Sequence, residues 1–263
     1  MNRLIMTTTV VLTVMAAVPA VAAEVDEVVA KANRTSYYQG EDGRAKVDMT
    51  ITDSQGRERT RQFVILRKDA DDGQDSDQKF YVFFRRPADV NRTAFLVWKR
   101  AGADDDRWLY LPALDLVKRI AASDERTSFV GSNFFYEDVS GRNPDEDSHV
   151  LEEGTPDYHV LKSTPKDKSL VEFASYRTWI HRGTFIPVRT EYYDGEGKSY
   201  RTYEALEVQN IDGFSTVTRS RMSDTRTGGQ TTIEYTDVKY DVGLPDDLFT
   251  ERYLRNAPRK YLR

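Results

Sequence analysis

The chain contains no cysteine, which removes the disulfide bonds that stabilise many small exported domains. Stability must therefore come from a hydrophobic core, although the apolar fraction of 39% is low for that purpose. Aromatic residues compensate, because the 15 Tyr, 12 Phe and 3 Trp side chains each bury a large area. The composition thus permits a core that is rich in aromatic rather than aliphatic side chains.

The sequence also lacks the motifs of the common catalytic and nucleotide-binding classes. There is no cysteine nucleophile, no Gly-x-Ser-x-Gly elbow, no Gly-x-x-x-x-Gly-Lys phosphate loop and no His-Glu-x-x-His zinc motif. The three histidines, His149, His159 and His181, are isolated in strand-like sequence. We therefore predict that the protein is not an enzyme and holds neither a cofactor nor a metal. A hydrolase built from scattered carboxylates is the alternative, but no pair of them has a defensible spacing.

Basic residues are not in excess. The net charge of the chain is −5, and it becomes −6 when Arg3 is left out. Nucleic-acid binding requires a clustered basic footprint, which this sequence does not have. We therefore predict no nucleic-acid partner.

The first 23 residues have the pattern of a secretory signal peptide. Arg3 is followed by an uncharged run over residues 4–18 and by small residues before Glu24, which predicts cleavage after Ala22 or Ala23. A membrane anchor is the alternative, but the run contains four threonines and is shorter than the roughly 20 residues of a membrane span. Residues 24–263 are therefore predicted to be exported as one soluble domain with no membrane-spanning segment.

One short helix is predicted at the start of this domain, and β-strands are predicted after it. Val25, Val28, Val29 and Ala32 recur at helical spacing. Alternation and turn signals, such as that of residues 210–213, then predict antiparallel hairpins. The predicted strands cover residues 44–52, 57–67, 79–86, 93–99, 108–111, 116–120, 148–153, 157–164, 173–181, 185–193, 199–209, 214–223 and 231–240. This spacing is typical of a sandwich, a closed barrel or a strongly curved sheet.

Strands of the first half are apolar on both faces, whereas those of the second half alternate. In residues 63–66, 81–84, 95–98 and 108–111, the odd and the even positions are both apolar. Both faces of these strands must therefore be covered. Residues 121–142 interrupt the β pattern as a short helical excursion. Two interpretations stay open. The N-terminal helix and the excursion could bury these strands as plain core, or they could cap an apolar cavity on one face as a lid that opens.

Several segments of the chain resemble the outer-membrane lipoprotein-sorting proteins, the relatives of LolA and LolB. These segments are Arg86-Pro87-Ala88-Asp89-Val90, Thr93-Ala94-Phe95-Leu96-Val97-Trp98, Asp106-Arg107-Trp108-Leu109-Tyr110-Leu111-Pro112, Val117-Lys118-Arg119-Ile120, Ser128-Phe129-Val130-Gly131-Ser132-Asn133-Phe134 and Tyr136-Glu137-Asp138. The resemblance implies a mostly β fold, an unclosed antiparallel β-barrel in which short α-helices form a lid over an apolar cavity. It also implies a periplasmic carrier of lipid or of lipoprotein acyl chains, with an inner-membrane RND or MMPL-type transporter as a partner.

On this basis we assign candidate residues to the parts of such a carrier. The candidates for the lipid cavity, taken from one parity of each strand, are Phe83, Phe95, Val97, Leu109, Leu111 and Trp179. The candidates for the lid are Phe129, Phe134 and Phe135. Basic residues that could meet a phosphate headgroup at the cavity mouth are Arg85, Arg86, Lys118 and Arg119. The alternative function is a transporter-associated interaction module that holds no cargo and uses the two-sided apolar strands as a docking surface.

Overall fold

The structure, a computed structural model, describes residues 18–70 and 77–263, with side chains described from Ala22 onward. Most of the predicted signal peptide, residues 1–17, lies outside the described residues. The helices are α1 (Val18–Tyr37), α2 (Tyr136–Ser140) and α3 (Glu251–Arg255). Both candidate cleavage positions fall within α1. None of the described helices is long and apolar enough to cross a membrane.

The described strands form a single antiparallel sheet. They are β1 (Asp42–Thr52), β2 (Glu58–Asp69), β3 (Gln78–Arg86), β4 (Ala94–Lys99), β5 (Asp106–Leu111), β6 (Leu116–Ile120), β7 (Asp147–Glu152), β8 (Tyr158–Pro165), β9 (Ser175–His181), β10 (Pro187–Tyr193), β11 (Ser199–Ile211), β12 (Phe214–Asp224) and β13 (Gly229–Tyr240). Every predicted strand is present, with bounds that differ by a few residues. The periodicity and turn chemistry of the sequence were sufficient to locate them.

The sheet consists of two meanders joined in the middle. Its strand order is β6-β5-β4-β3-β2-β1-β13-β12-β11-β10-β9-β8-β7, so that β1 to β6 lie in sequence on one side and β7 to β13 on the other. The two meanders meet where β1 pairs with β13, from Gly43 opposite Tyr240 to Thr52 opposite Gln230. This pairing joins residues that are about 190 positions apart in the sequence and is the one long-range strand contact of the sheet among the described residues.

The sheet is not closed into a barrel, since its edge strands β6 and β7 form no ladder with each other among the described residues. The predicted fold class, a mostly β and unclosed antiparallel structure with short helices, is confirmed. Of the three architectures that the strand spacing allowed, the structure has the open sheet. Because β6 and β7 are consecutive in the chain but lie at opposite edges, the connection over residues 121–146 must cross one face.

Two segments cover the two faces of strands β2 to β5. We call the face covered by residues 121–142, the lid, the inner face, and the face covered by residues 244–262 the outer face. The inner cluster contains Val47, Met49, Phe63, Phe80, Val82, Phe84, Phe95, Val97 and Leu109 from the sheet, together with Phe129, Phe134 and Tyr136 from the lid. The outer cluster contains Val64, Leu66, Tyr81, Leu96, Trp108 and Tyr110 from the sheet, together with Leu244, Leu248, Phe249, Leu254 and Leu262 from the C-terminal segment.

The C-terminal segment therefore explains the second apolar face. Two hydrogen bonds fix it to the sheet: the Tyr81 hydroxyl donates to the Tyr253 carbonyl at 2.7 Å, and Trp98 Nε1 donates to the Phe249 carbonyl at 2.8 Å. The N-terminal helix does not bury these strands as plain core, although its residues Val29 and Tyr37 line a cavity on their inner face. The apolar stripe of α1 packs instead on the second meander, where Val28 belongs to a cluster with Leu161 of β8 and Ile180 of β9.

We expect the C-terminal segment to be an integral part of the core. Phe249 is 1% exposed in the outer cluster, so Phe249→Ala should lower the free energy of unfolding by about 3–5 kcal/mol. Val242 is 39% exposed, and Val242→Ala should change that free energy by no more than about 0.5 kcal/mol. Urea unfolding of both variants measures the difference. Equal effects would show that the segment is not packed as described.

Candidate functional site

A cavity of about 450 Å³ lies between the inner face of the sheet, helix α1 and the lid. This volume falls within the range of small-molecule binding sites. One part of its wall is apolar and is formed by side chains of both meanders and the lid. These are Met49, Phe63, Ile65, Phe80, Val82, Phe129, Phe134, Met222 and Ile233, which we call the apolar lobe.

Two aromatic side chains of the lid are inserted into this lobe. Phe129 is 2% exposed, and its ring centroid lies 5.5 Å from that of Phe95 and 5.8 Å from that of Phe84. Positive φ angles at Val130 and Gly131 turn the chain between Phe129 and Phe134, and the Phe129 N–H donates to the Phe134 carbonyl at 2.8 Å. A tight loop thus holds both rings against the strands.

The tip of the lid is fixed to the sheet by hydrogen bonds and by one buried arginine. The Asn133 N–H donates to Thr231 Oγ1 of β13 at 2.9 Å, and that hydroxyl donates to Asn133 Oδ1 at the same distance. Arg201 of β11 is fully buried, forms a salt bridge with Asp138 and donates to the Asn133 carbonyl at 3.1 Å. Its guanidinium also lies 4.0 Å from the centroid of the Phe135 ring. Burial disfavours its charge, but the charge and hydrogen bond of Asp138, together with the nearby Tyr192, outweigh that effect and raise the pKa of Arg201.

The base of the lid is fixed by ion pairs. Arg126 forms a salt bridge with Glu137 and donates to both oxygens of Glu172, at 2.6 and 2.7 Å. Arg142 donates to Glu137 at 3.0 Å and to both oxygens of Asp147, at 2.9 and 3.1 Å. Burial alone would raise the pKa of Glu172, but the hydrogen bond and charge of Arg126 lower it to about 2.

The other part of the cavity wall is polar and is formed largely by the second meander. Its members are Tyr37, Ser163, Tyr176, Thr178, Thr190, Tyr192, Tyr203, Thr216, Ser220 and Tyr235, which we call the tyrosine lobe. Burial raises the pKa of Tyr192 and of Tyr235 to about 12, so both hydroxyls are neutral at physiological pH. The cavity wall is thus amphipathic, since it combines apolar side chains with neutral hydroxyls and also carries charged side chains such as Arg44 and Asp138.

The predicted cavity residues are divided between several locations. Phe95, Val97 and Leu109 belong to the inner cluster, and Leu111 packs at its margin. They form the floor on which the lid rings pack, and they do not line the cavity wall.

Two of the predicted cavity residues need correction. Phe83 packs against the outer cluster, since its neighbours Val82 and Phe84 occupy the inner face. Trp179 also lies on the face of the sheet away from the cavity, because Thr178 and Ile180 on either side of it line the cavity. A one-residue error in parity moves a strand residue to the other face of the sheet.

The predicted lid residues lie in the lid, in two roles. Phe129 and Phe134 line the cavity, whereas Phe135 is not part of its wall and stacks on Arg201. None of the proposed headgroup residues Arg85, Arg86, Lys118 and Arg119 lines the cavity. Arg119 pairs with Asp106, and Lys118 and Arg119 belong to the exposed edge strand β6. The assignment of these four residues to the cavity mouth is therefore corrected.

Sequence reasoning missed the tyrosine lobe. Val188, Thr190 and Tyr192 alternate with Arg189, Glu191 and Tyr193, and this pattern indicates one wet face. The structure places Thr190 and Tyr192 on the cavity wall, while the Arg189 side chain is 46% exposed. The sequence did contain a signal for this lobe: tyrosine and threonine recur at the inward-facing alternate positions of three neighbouring strands.

The histidines do not form a common site. His149 contacts Ser163 Oγ at 2.8 Å, and His181 contacts Thr184 Oγ1 at 3.0 Å. His159 stacks on Phe185 with ring centroids 6.1 Å apart. In the part of the chain that the structure describes, no group of three or more His, Asp or Glu side chains is arranged to hold a metal ion.

We expect the lid anchor to weaken in acid. The pKa of Glu172 lies near 2 in the folded protein and near 4.5 when unperturbed, so its stabilising effect is present above about pH 4.5 and is lost as the pH falls towards 2. At pH 7, Glu172→Gln should lower the free energy of unfolding by about 1–3 kcal/mol. That difference should shrink in urea unfolding below pH 4.5. The control Glu251→Gln removes an exposed carboxylate and should have little effect at any pH. A pH-independent Glu172 effect would contradict the ion-pair account.

Comparisons with known proteins agree with this architecture. A family model described as "Uncharacterized protein" matches residues 76–256. No curated protein sequence matches the chain.

Solved structures match over almost the whole chain. A DUF1329 family protein from Desulfovibrio piger is 32% identical with a TM-score of 0.80, and the match covers 89% of this chain and 98% of that one. A domain from Vibrio parahaemolyticus, described as an outer membrane lipoprotein-sorting protein, is 27% identical with a TM-score of 0.79, covering 89% and 99%. A LolA superfamily protein from Nitrosomonas europaea, 22% identical with a TM-score of 0.66 over 87% and 98%, shares the fold.

These similarities confirm the resemblance to the lipoprotein-sorting proteins that the sequence motifs indicated. The first match extends over nearly nine tenths of the chain at an identity that establishes common family membership. The chain belongs to the DUF1329 family, and its fold is that of the LolA superfamily.

Proposed function

We propose that this protein is a periplasmic carrier that binds the hydrocarbon chain of a lipid, or of a lipoprotein, in the apolar lobe beneath the lid. The observation that carries the proposal is the insertion of Phe129 and Phe134 into a partly open apolar cavity. The similarity to a domain described as a lipoprotein-sorting protein supports it.

Burial of hydrocarbon supplies enough free energy for such a role. Each methylene moved from water into an apolar site contributes about 0.8 kcal/mol, so a chain of about 15 methylenes gains on the order of 12 kcal/mol before ordering costs are subtracted. The carrier therefore needs no strong polar contact to hold a chain. It needs a means of release, because a fully enclosed chain would leave slowly.

The lid provides that means. Phe129 and Phe134 occupy the inner face when the lid is closed, and a longer hydrocarbon chain would replace their ring contacts with contacts of its own. The lid is held at its tip by Asn133 and Asp138, and at its base by Arg126. Ion pairs, side-chain hydrogen bonds and the burial of the lid rings, rather than a continuous strand ladder, therefore oppose opening.

Filling the apolar lobe should reduce binding. Ile65 is half-buried and lines the cavity, so Ile65→Trp places a large ring where a ligand would lie. Excluding about two methylenes of ligand should weaken the affinity for a fluorescent fatty acid by about tenfold or more. Displacement titration measures the affinity. Mass spectrometry of lipids that co-purify with the periplasmic protein identifies its cargo.

The matched control is Val208→Trp. Val208 is 43% exposed on β11, so the same bulk is added outside the cavity and binding should be unchanged. The carrier proposal fails if folded wild-type protein binds no fatty acid and co-purifies with no lipid. It also fails if both tryptophan variants bind as tightly as the wild type.

We further propose that the carrier is exported through its signal peptide and exchanges cargo with an inner-membrane transporter of the RND or MMPL type. The support for this step is the resemblance of the motifs around Trp108 and Phe129. Lys239 is exposed and lines the cavity, so it lies at the mouth through which a partner would receive cargo.

An in-cell crosslinking experiment tests export and partnership together. Protein recovered from the periplasm should have lost its first 22 or 23 residues, as measured by intact mass. A photo-crosslinking residue at position 239 should capture an inner-membrane transporter. The same residue at position 170, where Leu170 is 66% exposed away from the cavity wall, should capture none. Full-length protein in the periplasm, or equal capture at both positions, would contradict the respective part of the proposal.

A further inference from the structure

The tyrosine lobe is built from four separate parts of the fold. Tyr37 comes from the end of α1, Tyr192 from β10, Tyr203 from β11 and Tyr235 from β13. All four side chains are half-buried and line the cavity. Tyr37 is held in place by Gly141 at the end of the lid, where an added Cβ would lie 2.3 Å from the Tyr37 ring.

The hydroxyl groups of these residues converge. Burial raises the pKa of Tyr37 well above its usual value, and the neighbouring Asp138, Tyr192, Tyr203 and Tyr235 raise it further. All four residues line the same cavity, and Tyr192 is a diagonal neighbour of Tyr203, because Thr190 pairs with Tyr203 across β10 and β11. The convergence places several hydrogen-bond donors and acceptors around a common space.

Three of these hydroxyls have no hydrogen-bond partner among the described residues of the protein. Among the described residues, the hydroxyls of Tyr37, Tyr192 and Tyr235 form no hydrogen bond within the chain. Other tyrosines near the cavity do have partners, since Tyr176 donates to Asp147 at 2.7 Å and Tyr240 lies 2.7 Å from Thr216 Oγ1. The hydroxyls of Tyr37, Tyr192 and Tyr235 face the cavity without a protein partner, so they are available to donate to or accept from a polar group of a ligand.

The charged side chains of the cavity wall, in contrast, already have partners. Each described cation or carboxylate that lines the cavity forms an ion pair. These pairs are Arg44 with Asp237, Arg67 with Asp69, Glu137 with Arg126 and Arg142, Asp138 with Arg201, and Lys239 with Asp237. Asp237 is shared by Arg44, Lys46 and Lys239, so excess positive charge lies at that part of the wall, whereas the unpartnered groups of the tyrosine lobe itself are neutral hydroxyls.

An anionic ligand group would fit this lobe poorly. In the tyrosine lobe it would lose its hydration and approach the carboxylates of Glu137 and Asp138, whereas the excess positive charge of the wall lies at Arg44 and Lys239. A neutral oxygen atom has neither difficulty, because a phenol hydroxyl can donate to an ester carbonyl or accept from an alcohol.

We propose that the tyrosine lobe, through the hydroxyls of Tyr37, Tyr192 and Tyr235, binds a neutral oxygen-bearing group of the cargo, an ester or an alcohol, while the attached hydrocarbon lies in the apolar lobe. This inference rests on the carrier function proposed above and specifies its substrate class. The preferred cargo is an uncharged amphiphile in the buried region, whatever group it carries outside the mouth.

Four probes of matched ten-carbon chain length test the proposal: 1-decanol, methyl decanoate, decanoate and 1-decene. Their affinities are measured at pH 8, where decanoate is ionised, by displacement of one fluorescent alkanol, whose head group is uncharged. The double variant Tyr192→Phe/Tyr235→Phe removes two hydroxyls and keeps both rings. It should weaken binding of the alcohol and the ester by about tenfold and leave 1-decene within about twofold.

The control variant is Tyr193→Phe. Tyr193 follows Tyr192 in β10 but does not line the cavity, and its hydroxyl bonds to Glu191. All four affinities should be unchanged. In the wild type, decanoate should bind more weakly than methyl decanoate.

Each outcome decides between the two proposals. If the wild type binds the probes and the double variant binds the alcohol and ester equally well, this inference is overturned and the carrier function stands. If decanoate binds as tightly as its methyl ester, the neutral character of the lobe is refuted. If the folded wild type binds none of the probes and no fluorescent fatty acid, the carrier function fails and this inference fails with it.

Discussion

The two edges of the sheet are joined by one stretch of chain, because β6 and β7 are consecutive in sequence and lie at opposite ends of the strand order. That connection, residues 121–146, has no path from one edge to the other except across a face. The strands it crosses are apolar, so its aromatic residues are buried there and a cavity is left beside them. The lid is thus a consequence of topology as much as of its own sequence. A sheet closed into a barrel would pair β6 with β7 and would need no such crossing.

Much of the fold was accessible from the sequence, because strands and hairpins depend on local periodicity and turn chemistry. The alternation in residues 42–52 and the turn at Gly56, with its positive φ, determine the first hairpin without reference to the rest of the chain. The segments that cover the two faces of the sheet could not be predicted from the sequence in the same way. Whether Val28 packs on the first or the second meander, and whether Phe249 is core or tail, depends on partners far away in sequence. The apolar residues on both faces of strands β2 to β5 showed that two segments must cover these strands. They did not show which segments of the chain do so.

In the site, too, residues marked by a local sequence pattern could be predicted, and residues brought together by distant contacts could not. Phe129 and Phe134 stood out as aromatic residues within a Gly-Ser-Asn loop, and they do line the cavity. Tyr192 and Tyr235 did not stand out, because tyrosine is compatible with both water and a core, and alternation with Arg189 indicated only that Tyr192 lies on the other face of β10 from that arginine. Their importance follows from convergence with Tyr37, which only the packing of α1 against the lid at Gly141 produces. A cavity that is polar at one end cannot be recognised from hydropathy, which treats its hydroxyl-bearing wall as surface.

The junction between β1 and β13 has a consequence for the order in which the molecule can assemble. The first meander can form from local hairpins as soon as its strands have been synthesised, but the edge of β1 then has no partner. Its partner β13 is the last strand to emerge, and until then β1 presents free backbone N–H and C=O groups beside an apolar surface. Exposed edges of this kind pair readily with other chains. A chain of this topology therefore spends the interval before β13 arrives as an aggregation-prone half-sheet, and shielding by chaperones would matter most during that interval.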